Sequence, residues 1–225
     1  MKIKIGLLRV LTLKDGKPDH FHHENVIESN FPDLKVVSRS IEDQYEGIYD
    51  EETEKKAIPK IIELGKKMGK EDIEALIVDC AADPGVGELR KIVKIPVIGA
   101  GSSSASLALA YGSRIATMGI RGDAPKIMKK VLGRHLVCAV KPGGVKTALD
   151  LMTEEGKKNS IIAVTDLYKE NIDVIALACT GYAALGIDSE LEKAAGVPVV
   201  NALVAAGLFA WYRTMKKNSS VKYFQ

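Results

Sequence analysis

Two cysteines in this chain stand where a thiol could move a proton. The stretch Ile73-Glu74-Ala75-Leu76-Ile77-Val78-Asp79-Cys80-Ala81-Ala82-Asp83-Pro84-Gly85 is an apolar run that ends in Cys80 and small residues. Ile172-Asp173-Val174-Ile175-Ala176-Leu177-Ala178-Cys179-Thr180-Gly181 repeats the pattern and ends in Cys179. Such runs read as central strands of a parallel sheet, covered on both faces. Open α/β sheets bind ligands outside the carboxyl ends of their strands, so both thiols are expected at a ligand site. Ala81, Ala82, Thr180 and Gly181 are small enough for backbone N–H groups to approach a ligand closely. N–H groups at a strand-to-helix turn can hold an oxyanion. Their positive field is expected to draw each thiol toward thiolate. A thiolate on one face of a carbon acid and a thiol on the other would invert the stereocentre by general acid–base catalysis, with no cofactor. A lone buried cysteine is ordinarily a small apolar side chain, and Cys138, mid-strand at 137–140, is read that way. Duplication argues against chance for the other two.

The scaffold that must position these thiols is itself duplicated. After each cysteine come a helical stretch, a strand led by proline and an Ala-rich helix. The strands are Ile95-Pro96-Val97-Ile98-Gly99 and Val197-Pro198-Val199-Val200-Asn201, and the helices lie near 103–111 and 202–211. Further strands are expected at 2–10, 33–38, 114–118 and 137–140. Further helices are expected at 21–29, 51–68, 124–132, 149–155 and 160–171. Pro59 either kinks the helix of 51–68 or marks its true start. Asp83-Pro84 reads as an N-cap followed by the first helical residue. Ser189-Glu190-Leu191-Glu192 has capping-box spacing. The order predicts an α/β fold of two pseudo-symmetric lobes, each a parallel sheet flanked by helices, with the active site in the cleft between them. The lobes are expected at 1–108 and 109–225, with a C-terminal helix of about 203–225 docking back on the first.

Composition narrows the function. The 225 residues carry 32 basic and 29 acidic side chains, a net charge of +3, which gives no electrostatic footprint for nucleic acid or an anionic membrane. Aromatic residues are 5% of the chain, too few for base-stacking platforms. No apolar run approaches the roughly 20 residues of a membrane span, and the first strand is too short for a signal-peptide core. Three cysteines without a secretory signal point to reduced thiols in the cytoplasm. No Cys-x-x-Cys occurs, which weakens a thiol-redox reading. The expected partners are a small-molecule substrate and further copies of the chain in a homo-oligomer, with no nucleic acid and no membrane.

Taken together, Asp79-Cys80-Ala81-Ala82-Asp83-Pro84-Gly85, Ile95-Pro96-Val97-Ile98-Gly99, Ala178-Cys179-Thr180-Gly181 and Gly196-Val197-Pro198-Val199-Val200 resemble the aspartate/glutamate/hydantoin racemase superfamily. The resemblance covers most of the chain and maps the two catalytic cysteines of that family onto Cys80 and Cys179. Asp-Pro-Gly after Cys80, and Cys179-Thr180-Gly181, are more similar to its hydantoin racemase branch. Strand 1 departs from that branch: Leu7-Leu8-Arg9-Val10-Leu11-Thr12 stands where Asn-Pro-Asn-Thr is usual. The resemblance implies a cofactor-independent racemase or epimerase, acting first on a 5-substituted hydantoin. The alternatives are an aspartate or glutamate racemase, a related isomerase or decarboxylase of a dicarboxylate, and a protein that only binds a small molecule.

Other residues have two readings each. Arg9, at a strand end, would bind a carboxylate or carbonyl of the substrate, or would be a surface arginine in a local salt bridge. Thr117 and Met118 are taken as the symmetry mates of Leu8 and Arg9, and so as a wall of the pocket. Gly99-Ala100-Gly101-Ser102-Ser103-Ser104 lacks the third glycine and the acidic partner of a dinucleotide site, so it reads as a turn that packs a helix on the sheet. His20, His22 and His23 lack a matching Cys or carboxylate set, so a solvated loop is favoured over a metal site and no metal is assigned.

Overall fold

The computed structural model describes residues 2–12 and 22–218. The first half of the chain runs β1 (Ile3–Arg9), α1 (His23–Asn30), β2 (Leu34–Ser40), α2 (Glu51–Met68), β3 (Leu76–Asp79), α3 (Val86–Ile92), β4 (Val97–Gly99), α4 (Ala100–Ala108). The second runs β5 (Ile115–Met118), α5 (Lys126–Leu132), β6 (Leu136–Val140), α6 (Ala148–Leu151), α7 (Glu154–Thr165), β7 (Val174–Leu177), α8 (Tyr182–Leu185), α9 (Asp188–Ala195), β8 (Val199–Val200), α10 (Ala202–Asn218). Two parallel four-stranded sheets result, ordered β2-β1-β3-β4 and β6-β5-β7-β8. The α/β fold with two parallel sheets is therefore the one the repeated pattern predicts. β3 and β7 are buried along their whole length, as continuous apolar runs require.

Each sheet buries one face against helices of its own half. Leu8, Leu76 and Val78 pack on Ala57, Ile61 and Met68 of α2 and on Leu89 of α3. Ala116, Met118, Ile175 and Leu177 pack on Leu151, Val164 and Leu191 of α6, α7 and α9. On the inner faces the last helices are exchanged. Ile5, Leu7 and Ile77 meet Leu203, Ala206 and Ala210 of α10. Ile115, Val174 and Ala176 meet Ala105 and Ala108 of α4. The alanines of α4 and α10 let helix and sheet come close, and the exchange fixes one sheet relative to the other.

Several local expectations give way to tertiary structure. α2 runs through Pro59 without a break, capped by Asp50, whose side chain accepts from the Thr53 N–H at 2.8 Å. α4 begins at Ala100, so the small residues after Gly99 are its first turn rather than a loop. Asp83 does not cap α3, which starts at Val86 behind Gly85. Ser189 lies inside α9, and Glu192 instead accepts the N–H of Val199 at 3.0 Å. Both capping motifs were locally sound, but better-placed partners exist across the fold.

The hydrogen-bond register aligns the two halves residue by residue. The Leu76 N–H donates to the Pro96 carbonyl, and the Ile175 N–H to that of Pro198. Leu76 lies beside Gly6 on β1, and Ile175 beside Ala116 on β5. Counting on from these anchors, Cys80 matches Cys179, Asp79 matches Ala178, Leu8 matches Met118, and Arg9 matches Gly119.

Candidate active site

β3 and β7 deliver Cys80 and Cys179 to equivalent positions just past their carboxyl ends. In each turn the backbone N–H two residues on favours the thiolate: that of Ala82 for Cys80, that of Gly181 for Cys179. A thiolate there would be stabilised by that donor. The expected drop in thiol pKa does not follow, because burial outweighs a single N–H. Burial pushes the Cys179 thiol up to about 12, helped by the negative charge of Asp79. Burial also pushes Cys80 up, and negative charge on Cys179 adds to the rise. Each thiol is therefore neutral in this closed state, and ionising one opposes ionising the other.

Cys179 lies between two small cavities that share Ile48 and Ile120. The first, of about 50 Å³, is also walled by Arg9, His23, Asp79, Thr180 and Gly181. The second, of about 30 Å³, adds Ala82, Gly119 and Arg121. A cavity that takes up benzene measures about 150 Å³, so neither of these is large enough to hold a ring. Arg121 spans the closed mouth: it donates to the carbonyls of Tyr49 and Asp50 at 3.1 and 2.7 Å and pairs with Glu54 at 3.1 Å.

Arg9 is not a surface residue; only 2% of it is exposed. Its Nε lies 3.8 Å from Asp79 Oδ2, its register neighbour on β3, and its guanidinium lies 3.9 Å from Glu24. His23 Nδ1 meets the same Asp79 oxygen at 2.6 Å. Burial pushes the Asp79 carboxyl up, but His23 and Arg9 together outweigh it and hold the group below the usual carboxylate range. The Thr180 hydroxyl donates to the Asp79 carbonyl at 3.4 Å, joining the two lobes beneath the site.

The structure thus gathers Arg9, Ala82, Cys179, Thr180 and Gly181 around the cavities, while Cys80 lines neither and packs against the core of the first lobe. Ala81 is instead a core residue beside Ala105. Thr117 and Met118 do not line these cavities either. Both are buried in β5, Met118 within the core, because they match Leu7 and Leu8 rather than Leu8 and Arg9. Gly119 and Ile120 form the wall in their place. The solvated-loop reading also fails for His23, which is buried against Asp79; His20 lies outside the described residues. The missed signal was Asp79 itself, since a carboxylate ending an apolar strand requires a buried partner. Among the described residues, no group of three His, Cys, Asp or Glu side chains is placed to hold a metal ion. No described helix is long and apolar enough to cross a membrane.

Two parallel sheets with a thiol past the matched strand of each, and cavities between them, define a two-lobed α/β protein with its site at the lobe junction. Residues 24–207 match the family model described as Asp/Glu/Hydantoin racemase; the chain belongs to that family and is an isomerase of the racemase class. It is 29% identical over 178 residues to a hydantoin racemase of Pseudomonas sp. (strain NS671), across 73% of this chain and 67% of that one. A hydantoin racemase of Rhizobium meliloti is 24% identical over 160 residues, covering 65% of either chain. The chain thus spans about two thirds of the length of these curated relatives. An allantoin racemase of Klebsiella pneumoniae shares the fold, with a TM-score of 0.77 at 17% identity over 99% of this chain and 91% of that one.

Proposed function

We propose that this chain racemises a 5-substituted hydantoin without a cofactor, Cys80 and Cys179 alternating as base and acid. The observation that carries the reading is the matched pair of turns, each presenting a thiol and a backbone donor to it at the junction of the lobes. Mutual repulsion favours one thiolate and one thiol over two thiolates, the pairing that racemisation needs. The thiolate removes the proton at C5, and the thiol on the opposite face returns one. Arg9, its charge balanced by Asp79 and Glu24, lines the cavity with Thr180 and serves the ring carbonyl as a hydrogen-bond donor rather than as a free cation. Ala82 and Gly181 hold the thiolate through their N–H groups. The lobes, 1–108 and 109–225, part to admit substrate and close to exclude water.

Charge favours the hydantoin over an acidic amino acid. A dicarboxylate needs cations to receive it, yet the arginines at the cavities are already engaged: Arg9 with Asp79 and Glu24, Arg121 with Glu54. The remaining walls are largely apolar, including Val10, Leu11, Ile48, Ile120 and Ala148. A neutral ring suits such a site. The names of the two relatives point the same way. Polarimetry of single enantiomers tests the reading. Optical rotation should decay for a 5-substituted hydantoin, at the same rate after exhaustive chelation. Decay with glutamate or aspartate alone would move the chain to the amino-acid branch; decay with no substrate would end the hydantoin reading.

A further inference from the structure

We propose that Asp83 is a positioning residue for Cys80 and not for Cys179: its carboxylate clamps the Cys80 turn onto the start of α4. The proposal rests on the two-thiol reading. The Asp83 N–H donates to the Cys80 carbonyl at 3.0 Å, closing the turn that holds Ala81 and Ala82. Asp83 sits in the left-handed region at φ 53°, which Asp adopts more readily than most residues because its short side chain bonds locally. Its Oδ1 accepts the Gly101 N–H at 2.7 Å and its Oδ2 the Ser102 N–H at 3.1 Å. The fit is tight on both sides. A Cβ on Gly99 would lie 2.0 Å from Asp83 Oδ2, and one on Gly101 would lie 1.9 Å from the Ala81 carbonyl oxygen.

α4 carries this anchorage to the other lobe. The Ser104 hydroxyl donates to the Leu177 carbonyl at 3.0 Å, two residues before Cys179 on the strand that delivers it. A continuous path therefore runs from Cys80 through Asp83 and α4 to β7, and it sets the spacing of the two thiols.

The second lobe caps the equivalent helix differently. The matching N–H groups of α10, on Leu203 and Val204, are accepted by Asn201 Oδ1 at 3.0 and 3.3 Å. Asn201 stands where the first lobe has Gly99, and its amide is held by Asp188 at 3.0 Å. The residue matching Asp83 is Tyr182, which is buried in the core with its hydroxyl 3.4 Å from Ser160 Oγ. The Cys179 turn is thus packed in the core, while the Cys80 turn is tied by a carboxylate.

This difference supplies a test that separates positioning from capping. Asp83→Ala removes both clamp and cap. Adding Gly99→Asn restores a cap of the second lobe's kind, because Gly99 already has extended backbone (φ −93°, ψ 137°) and the clash with Asp83 is gone. Exchange of the C5 proton is followed by NMR in heavy water with D- and L-5-methylhydantoin. Iodoacetamide labelling of Cys80 and Cys179 is followed by peptide mass spectrometry. Asp83→Ala should lower the Tm and slow one enantiomer roughly tenfold or more beyond the other, since a displacement of about 1 Å can cost 10²-fold. The slowed enantiomer should be the one that Cys80→Ser abolishes. The double variant should regain the Tm but not the exchange, and in both variants Cys80 labelling should change while that of Cys179 stays. Equal slowing of both enantiomers, or recovery of exchange together with Tm, would reduce Asp83 to a helix cap. If Cys80→Ser fails to separate the enantiomers, the two-thiol reading is what has failed. Labelling then decides the clamp, and an unchanged Cys80 rate rejects it.

Discussion

At the thiol-bearing end of the first sheet a buried arginine–aspartate pair occupies the positions that Gly119 and Ala178 occupy in the second. The two lobes match in strand order, in register and in the N–H given to each sulfur, yet not in charge. Arg9, Asp79, His23 and Glu24 all belong to the first lobe, and the residues matching Arg9 and Asp79 carry no side chain beyond a methyl. Duplication has therefore preserved the frame that carries a thiol past each matched strand, while the groups around them have diverged. A symmetric reaction needs only the first. Discrimination between substrates can be built from the second.

The largest effect should come from what the lobes share. Cys80→Ala and Cys179→Ala should each lower kcat for racemisation by about 10²–10⁴-fold, with little change in far-UV circular dichroism. A large loss from one and none from the other would mean that the lobes differ in their thiols as well.

Stability should then expose what the lobes do not share. Arg9→Met leaves Asp79 with one partner fewer in a buried site, and breaking such a pair costs about 3–5 kcal/mol. Gly119→Ala, at the matching position, brings a Cβ to 3.1 Å from both the Cβ and the carbonyl oxygen of Ala178, so that backbone must shift slightly, at about 1–3 kcal/mol. Urea titration compares the two, and similar losses would remove the contrast. The Asp79 carboxyl is held below its ordinary value. Its contribution is thus present above the unfolded pKa of about 3.9 and is lost as pH falls through the folded one. Asp79→Asn should flatten that acid limb.

The thiols set an opposite dependence at alkaline pH. Their folded pKa values are raised. Below them the thiolate fraction, and with it kcat/KM, should climb about tenfold per pH unit through neutrality and beyond pH 8.5. The stability that they contribute is complete below the unfolded thiol value of about 8.5 and declines above it. A kcat/KM plateau reached below pH 8 would show that the thiols are not held up by burial during turnover. Among the predicted effects the smallest belongs to Cys138, half-buried in β6. Cys138→Ala should leave kcat unchanged and cost ~1 kcal/mol.

The sheets, the repeated strand–helix order and the placing of a cysteine past each matched strand were legible because apolar runs and proline-led strands are local patterns. The pairing of Thr117 and Met118 with Leu8 and Arg9 missed by one position, since it depends on inter-strand register, which no single strand encodes. His23 was hidden for a related reason: its partner Asp79 lies 56 residues away on another element. Asp83 illustrates competition between levels. Asp-Pro favours a local N-cap, but the open N–H groups of α4 lie within reach across the fold, and the side chain goes there.

On the proposed mechanism the two matched turns place one thiol on each face of a single stereocentre. The most direct measurement is C5-proton exchange in heavy water for Cys80→Ser and Cys179→Ser, each supplied with one pure enantiomer of 5-methylhydantoin at a time. A serine hydroxyl keeps the shape of the site but is far too weak an acid to serve as the base, so each variant should exchange one enantiomer and be silent toward the other, with the preference reversed between them. Exchange of both enantiomers by either variant, at a rate near that of the unsubstituted protein, would contradict it.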